Sequence, residues 1–149
     1  MAEGIRIKGL DEFRKELRGL TDKGPLGMLK DANYKVASFV VSSAAPRMAG
    51  RSSRAAASMR ASKAAQAARI TAGGAKVPWF GGVEFGSGRN VPRKTARGSR
   101  LGWNQFSPWR GNGPGAGYYL YPTIRAEIDT IVEMYGDELD RVARSTFPD

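Results

Sequence analysis

Apolar side chains recur at helical spacing near the start of the chain, where they predict two helices. The apolar face of the first helix is formed by residues three or four positions apart, namely Leu10, Phe13, Leu17 and Leu20. The second helix begins at Gly24 and Pro25, since proline suits the first turn of a helix, and it is expected to end at Pro46. Its apolar stripe consists of Leu26, Leu29, Val36, Val40 and Ala44. Before both helices, alternating apolar and charged side chains at residues 5–8 predict a short strand.

The C-terminal segment predicts a single long helix from Pro122 to about Ser145. Its apolar residues recur at helical spacing and are Ile124, Ile128, Ile131, Tyr135, Leu139 and Val142. The charged residues that fall on its other faces are Arg125, Glu127, Asp129, Glu133, Asp137, Asp140 and Arg141. This arrangement is typical of a helix with a solvated acidic face.

The middle of the chain has a weaker pattern. Residues 51–76 are rich in alanine, which favours helix, but no apolar stripe would give such a helix a face to bury. A β-hairpin with strands near residues 56–63 and 67–73 is the alternative. Residues 86–117 are rich in glycine, contain three prolines and lack acidic side chains, so they predict a long loop. Trp103, Phe106 and Trp109 lie within this loop, and their size indicates that something covers them.

Large apolar side chains are scarce in this chain. Leu, Ile, Val and Phe together number 28 of 149 residues, whereas Ala alone contributes 20. The shortage is greatest at residues 42–76, and the net charge of the chain is +10. Such a composition approaches that of chains that cannot bury enough apolar surface to fold alone. We therefore infer that partners stabilise part of the protein.

The charge is concentrated in the middle of the chain. Residues 1–46 carry 8 basic and 6 acidic side chains, residues 47–110 carry 13 and 1, and residues 111–149 carry 3 and 7. The three segments therefore have net charges of +2, +12 and −4. A basic centre with an acidic tail suits either a polyanionic partner or a head-to-tail contact between copies.

The absence of two residue types narrows the possible functions. The chain has no Cys, which excludes disulfides and thiolate metal sites, and no His, the commonest general acid or base near neutral pH. Its first residues, MAEGIRIKGLDEF, are charged, unlike a secretory signal. The longest apolar run covers only residues 36–41, far short of the ~20 residues that a membrane span needs. We expect a soluble, intracellular protein or a component of a particle assembled inside a cell.

The segment VPWFGGVEFGS, residues 77–87, surrounds Glu84 with three large aromatic side chains and three glycines. Glu84 is the only acid between residues 47 and 110. Desolvation could raise its pKa and make it an acid, but no second catalytic group accompanies it. The favoured interpretation is a packed junction that fixes the long loop to the domain, with Glu84 in an ion pair with a basic residue of that loop. The glycine-rich GNGPGAG at residues 111–117 lacks the Lys-Ser/Thr of a phosphate-binding loop. We expect no enzymatic activity and no cofactor.

The loop at residues 86–117, called the basic arm below, offers two kinds of contact. Its basic side chains, which include Arg110, and its aromatic side chains suit phosphate contacts with base stacking. The same residue types also serve as anchors in protein interfaces. The candidate contact residues are Trp79, Phe80, Glu84, Phe85, Arg89, Arg93, Lys94, Arg97, Arg100, Trp103, Phe106, Trp109, Tyr118, Tyr119 and Tyr121.

Several of these stretches, in this order, resemble a phage protein family. VPWFGGVEFGS resembles the Tyr/Trp-x-x-x-Val-Glu-Phe-Gly segment of the gene-ten-like tail-completion and head–tail joining proteins of long-tailed bacteriophages. GYYLYPTIRAEIDTIVEMYGDEL, residues 117–139, resembles the Phe-Leu-x-Pro-Ala-Leu-Arg start of their C-terminal helix. GLDEFRKELRGL resembles their opening helix, and GRSSRAAASMRASK resembles their Thr-Gly-x-Leu-x-x-Ser first strand. The chain departs from the pattern in its alanines at residues 55–57 and in its long basic arm.

The resemblance implies one α+β domain over residues 1–149. A small antiparallel sheet would be packed by an N-terminal helix pair and a long C-terminal helix, with residues 86–117 as an extended arm. It further implies a structural virion protein without catalytic residues, assembled as a ring of about six copies in the neck or upper tail. Such a ring would contact adjacent neck and tail proteins and would touch DNA only in passing.

Overall fold

The computed structural model describes residues 8–20, 23–88, 92–95, 98–101 and 105–147, with residues 92–95 and 98–101 described by their backbone alone. Within these ranges the helices are α1 (Leu10–Arg18), α2 (Gly24–Ala49), α3 (Ser53–Ser58), α4 (Phe80–Phe85), α5 (Leu120–Ala126) and α6 (Ile128–Thr146). The strands are β1 (Arg60–Ser62), β2 (Arg69–Thr71), β3 (Pro92–Thr95) and β4 (Gly98–Leu101). The predicted α+β class is confirmed. The strand predicted at residues 5–8 lies outside the described residues except for Lys8, which is in a turn.

Helix α2 is the centre of the packing, and it contacts α1, α3, α5, α6 and the β1–β2 hairpin. Its buried stripe includes the predicted Val36, Val40 and Ala44. Helix α6 packs on this stripe through Ile131 and Tyr135, which are buried as its spacing predicts. The predicted faces of both helices are therefore correct.

A second, smaller apolar cluster joins the ends of three helices. Leu17 of α1, Leu29 of α2 and Val142 of α6 are all fully buried together. Leu10, Phe13 and Leu20 are partly buried against them, so the predicted face of α1 is confirmed as well. This cluster holds the N-terminal helix to the C-terminal end of α6.

Two predicted helix boundaries are wrong. Helix α2 continues through Pro46 to Ala49. Pro46 lacks the N–H that would bond to the carbonyl of Ser42. Because Ser42 and Pro46 are both exposed, this carbonyl lies on the solvent side of the helix. The predicted C-terminal helix is divided at Glu127, whose φ of −101° and ψ of 13° depart from helical values. The amide of Glu127 still donates to Thr123, which keeps α5 and α6 hydrogen-bonded.

Residues 51–76 contain both of the structures that their sequence left open. Ser52 caps α3 by accepting a hydrogen bond from the amide of Ala55, so the alanines form one short helix. The antiparallel pair β1–β2 follows, with Ala61 opposite Ile70. The predicted hairpin is therefore confirmed, but its first strand begins at Arg60 rather than near residue 56.

The basic arm is not the structureless loop that its sequence predicts. Strands β3 and β4 pair antiparallel within it, with Arg93 opposite Arg100 and Lys94 opposite Ser99. Residues 92–95 and 98–101 lack the alternation of apolar and polar positions that marks a half-buried strand. Like charges at opposed positions disfavour a hairpin in isolation, which explains why the pattern did not predict it.

Candidate functional site

The centre of the candidate site is the buried carboxylate of Glu84. It lies on α4, a six-residue helix that the glycines at its start concealed from sequence analysis. Val83 and Glu84 are the buried residues of this helix, and Glu84 has no solvent-accessible surface. A charged group in this position is costly unless several donors satisfy it.

Backbone amides at the start of α5 supply those donors. Oε2 of Glu84 accepts hydrogen bonds from the amides of Tyr119 (3.2 Å) and Leu120 (2.9 Å), and Oε1 accepts one from Tyr121 (3.0 Å). The first amides of a helix have no partner within the helix, so the side chain of Glu84 caps α5 from a residue far away in sequence. The predicted ion pair with a basic residue is not found among the described side chains.

Burial dominates the electrostatics of Glu84. Desolvation raises the pKa of its carboxyl group, while the three backbone amides and the nearby charge of Arg125 act in the opposite direction. The guanidinium of Arg125 does not bond to the carboxylate; it donates instead to the carbonyl of Ala116 (2.7 Å). With every described donor to Glu84 a backbone amide, the arrangement fits a structural junction better than an acid–base catalyst.

Residues 84–87 form hydrogen bonds with both ends of the basic arm. The amide of Ser87 donates to the carbonyl of Ser107 (2.9 Å), and Ser87 forms a parallel β-bridge with Pro108. On the other side, the carbonyl of Phe85 accepts from the amide of Arg110 (2.6 Å). The carbonyl of Glu84 accepts from Tyr118 (2.8 Å). Residues 85–87 and 107–110, at the two ends of the arm, are therefore bonded to each other and are called the clamped base below.

Glycines make this close packing possible at three positions. Gly86 has a φ of 76°, and a Cβ atom there would collide with the carbonyls of Ser107 and Pro108. At Gly82 a Cβ would lie 2.6 Å from the ring of Phe106. Gly117, with a φ of 84°, leaves room for the carboxylate of Glu84. A Cβ atom at Gly81 would have no atom within 4 Å, so the packing does not require glycine at that position.

Aromatic side chains cover the clamped base unevenly. The ring of Phe85 packs edge-on against Tyr121 (5.2 Å between centroids) and lies 6.3 Å from Trp109. The guanidinium of Arg110 lies 4.3 Å from the centre of the ring of Tyr118. Among the aromatic side chains of this base, Trp109 is the most exposed, with 55% of its surface accessible to solvent.

The other predicted contact residues are buried or partly buried wherever the structure describes their side chains. Phe106 is buried, and Phe80 and Tyr119 pack partly buried against the main core. Trp79 donates to the hydroxyl of Ser52 (3.3 Å) and carries the guanidinium of Arg54 over its ring (5.0 Å). The side chains that lie outside the described part of the structure are those of Arg89, Arg93, Lys94, Arg97, Arg100 and Trp103.

Sequence analysis missed two buried polar groups in the α2–α6 interface. Glu138 is only 7% exposed, and the ammonium group of Lys35 (2.5 Å) and the guanidinium of Arg141 pair with it. The pKa of Glu138 is lowered, chiefly by its hydrogen bond from Lys35. Tyr135 donates to buried Asn33, which in turn donates to the carbonyl of Ala64 (2.7 Å).

Two further features bear on the possible chemistry of the described residues. Among them, no group of three or more acidic side chains is placed to hold a metal ion. None of their helices is both long and apolar enough to cross a membrane.

Comparison of the chain with protein-family models, with curated proteins and with solved structures finds no match. The resemblance to the phage family therefore stays a prediction.

Proposed function

We propose that this protein is a structural virion component of a tailed phage, which forms a ring in the neck or upper tail and joins head to tail or completes the tail. It would be assembled in the cytoplasm of the bacterial host. The observation that carries the proposal is the clamped base of the basic arm. The hydrogen bonds at Glu84, Phe85 and Ser87 fix where a long, strongly basic segment leaves a small domain.

A contact arm explains this arrangement better than an active site does. The carboxylate accepts three amide hydrogen bonds that cap α5, and it has no solvent-accessible surface through which a substrate could reach it. The arm carries six basic residues and no acidic one. An acidic surface on an adjacent subunit, or on a neighbouring neck or tail protein, would complement it.

Charge reversal in the arm tests the proposal. A variant with Arg93→Glu, Lys94→Glu and Arg97→Glu is expected to form far fewer rings than the wild type when electron microscopy compares the two proteins, each alone or mixed with its neck and tail partners. The matched control reverses three exposed cations outside the arm, Lys30, Arg60 and Arg69. Rings formed equally well by the arm variant would refute the assignment of the arm.

Nucleic-acid binding through the arm is the second candidate function. The exposed Trp109 and the basic residues of the arm favour it, because stacking and phosphate contacts together bind single strands. Salt distinguishes the two functions. Phosphate neutralisation predicts that log K for a single-stranded oligonucleotide falls by roughly 0.7 per phosphate contacted for each unit of log salt. A connector that only faces DNA in a channel would show weak binding and a shallow slope.

A further inference from the structure

Trp109 forms an exposed apolar anchor on a fixed backbone. The amide of the next residue, Arg110, is bonded to the carbonyl of Phe85. The hydroxyl of Tyr118 donates to the carbonyl of Pro108 (2.6 Å), which fixes the residue before Trp109. The indole lies against Gly111, where a Cβ would meet its ring. An aromatic side chain held in this way loses little conformational entropy when a partner covers it.

Arg110 gives this anchor a positive flank. Its side chain is stacked on the ring of Tyr118, with the guanidinium exposed. Among the described residues, no carboxylate forms an ion pair with it. Trp109 and Arg110 therefore present an apolar ring beside an uncompensated cation. Trp and Arg are the residue types most enriched among the dominant contacts of protein interfaces.

Helix α6 carries a surface of complementary character. Val132 is 52% exposed, although it lies in the middle of the helix. Gly136, one turn later, adds no side chain, and nothing lies within 4 Å of where its Cβ would be. Asp129, Glu133 and Asp137 are exposed around this spot, and none of them forms an ion pair with a described residue. The result is a shallow apolar surface flanked by unpaired carboxylates.

We propose that Trp109 and Arg110 of one copy dock on the Val132 surface of helix α6 in a second copy of this chain. The indole would cover Val132 and the bare backbone at Gly136, while the guanidinium would meet Asp129 or Glu133. The basic centre and the acidic C-terminal segment, with net charges of +12 and −4, favour this pairing at longer range. Because the two surfaces differ, the contact is head-to-tail, and repeating it closes a ring or extends a filament. The inference rests on the proposed connector function and names its subunit contact.

Two substitutions remove one surface each without touching the core. Trp109→Ala removes the anchor, and Val132→Asp places a charge at the centre of its docking surface. The matched control is Thr130→Asp, at another exposed position of α6. Circular dichroism first checks that each full-length, nuclease-treated variant melts like the wild type. Sedimentation velocity across a concentration series then measures self-association.

We expect Trp109→Ala and Val132→Asp each to weaken self-association by about tenfold or more, and Thr130→Asp to leave it within about twofold. Mixing the first two variants provides the sharper result. Each keeps the surface that the other lacks, so together they should form a one-to-one dimer that grows no further.

Three outcomes would overturn the inference. Wild-type self-association that neither substitution weakens would refute this contact, yet it would leave the connector function standing. A mixture of the two variants that stays monomeric would exclude the head-to-tail pairing. A wild type that is monomeric at every concentration, and whose binding to a single-stranded oligonucleotide is lost in Trp109→Ala, would assign Trp109 to nucleic acid instead.

Discussion

Replacing Glu84 by glutamine tests whether its carboxylate fixes the arm to α5. The best placement of the glutamine oxygen keeps the bonds to the amides of Tyr119 and Leu120, and it turns the side-chain NH2 towards the amide of Tyr121. One charge-assisted hydrogen bond is lost, a change worth about 1.5–3 kcal/mol. The other two bonds weaken because a neutral acceptor replaces a charged one.

Desolvation, which raises the pKa of Glu84, offsets part of this loss of stability, because the substituted glutamine carries no charge that must be buried. We therefore expect a net loss smaller than the lost bond alone, so that Glu84→Gln lowers the free energy of unfolding by about 1–2 kcal/mol, which corresponds to roughly 2–8 °C in Tm for a chain of this size. Thermal and urea unfolding at pH 7, followed by circular dichroism, provide the measurement. Glu133→Gln, at an exposed position of α6, is the control for loss of one negative charge. A Glu84→Gln protein as stable as this control would refute the account of the junction.

Three other substitutions test neighbouring parts of the structure. Gly86→Ala should lower the free energy of unfolding, measured in urea, by about 3 kcal/mol or more, because it combines a left-handed φ with a collision against two carbonyls. An unchanged urea midpoint would contradict this. Phe106→Ala should cost about 3–5 kcal/mol through the cavity it leaves beside Gly82, and a thermal shift smaller than that of Trp109→Ala would contradict its core position. The lowered pKa of Glu138 means that its pairing stabilises the fold above the unfolded pKa of about 4.3 and that this contribution is lost as the pH falls through the folded pKa. The stability advantage of wild type over Glu138→Gln should therefore be full at pH 7 and shrink towards pH 3 in a urea series, whereas an advantage independent of pH would refute the ion pair.

The parts of the fold that sequence predicted are those in which burial follows a helical period. Leu17, Val36 and Ile131 lie on such stripes, and all three are buried where their spacing places them. The same period could have identified Glu138, which lies three residues after buried Tyr135 and four before buried Val142. Its charge alone led to its omission.

The junction could be located from the sequence, but its bonding could not. Burial of Glu84 among its aromatic neighbours was the less favoured interpretation, and Glu84 is buried. The favoured ion pair is not found among the described side chains. Its partners are backbone amides about 35 residues further along the chain. Every residue except proline offers such a donor, so no side-chain pattern marks which amides will be used. The β3–β4 hairpin was missed for a different reason, since residues 92–95 and 98–101 show no alternation of apolar and polar positions along the sequence.

The solution mass of the purified, nuclease-treated protein tests the central claim most directly. Light scattering across protein concentration and salt would measure it, with and without phage neck and tail partners. The account predicts a defined oligomer of about six copies, formed either by the protein alone or when those partners are added. A monomer under all of these conditions, combined with tight and salt-sensitive binding to DNA, would contradict the connector function.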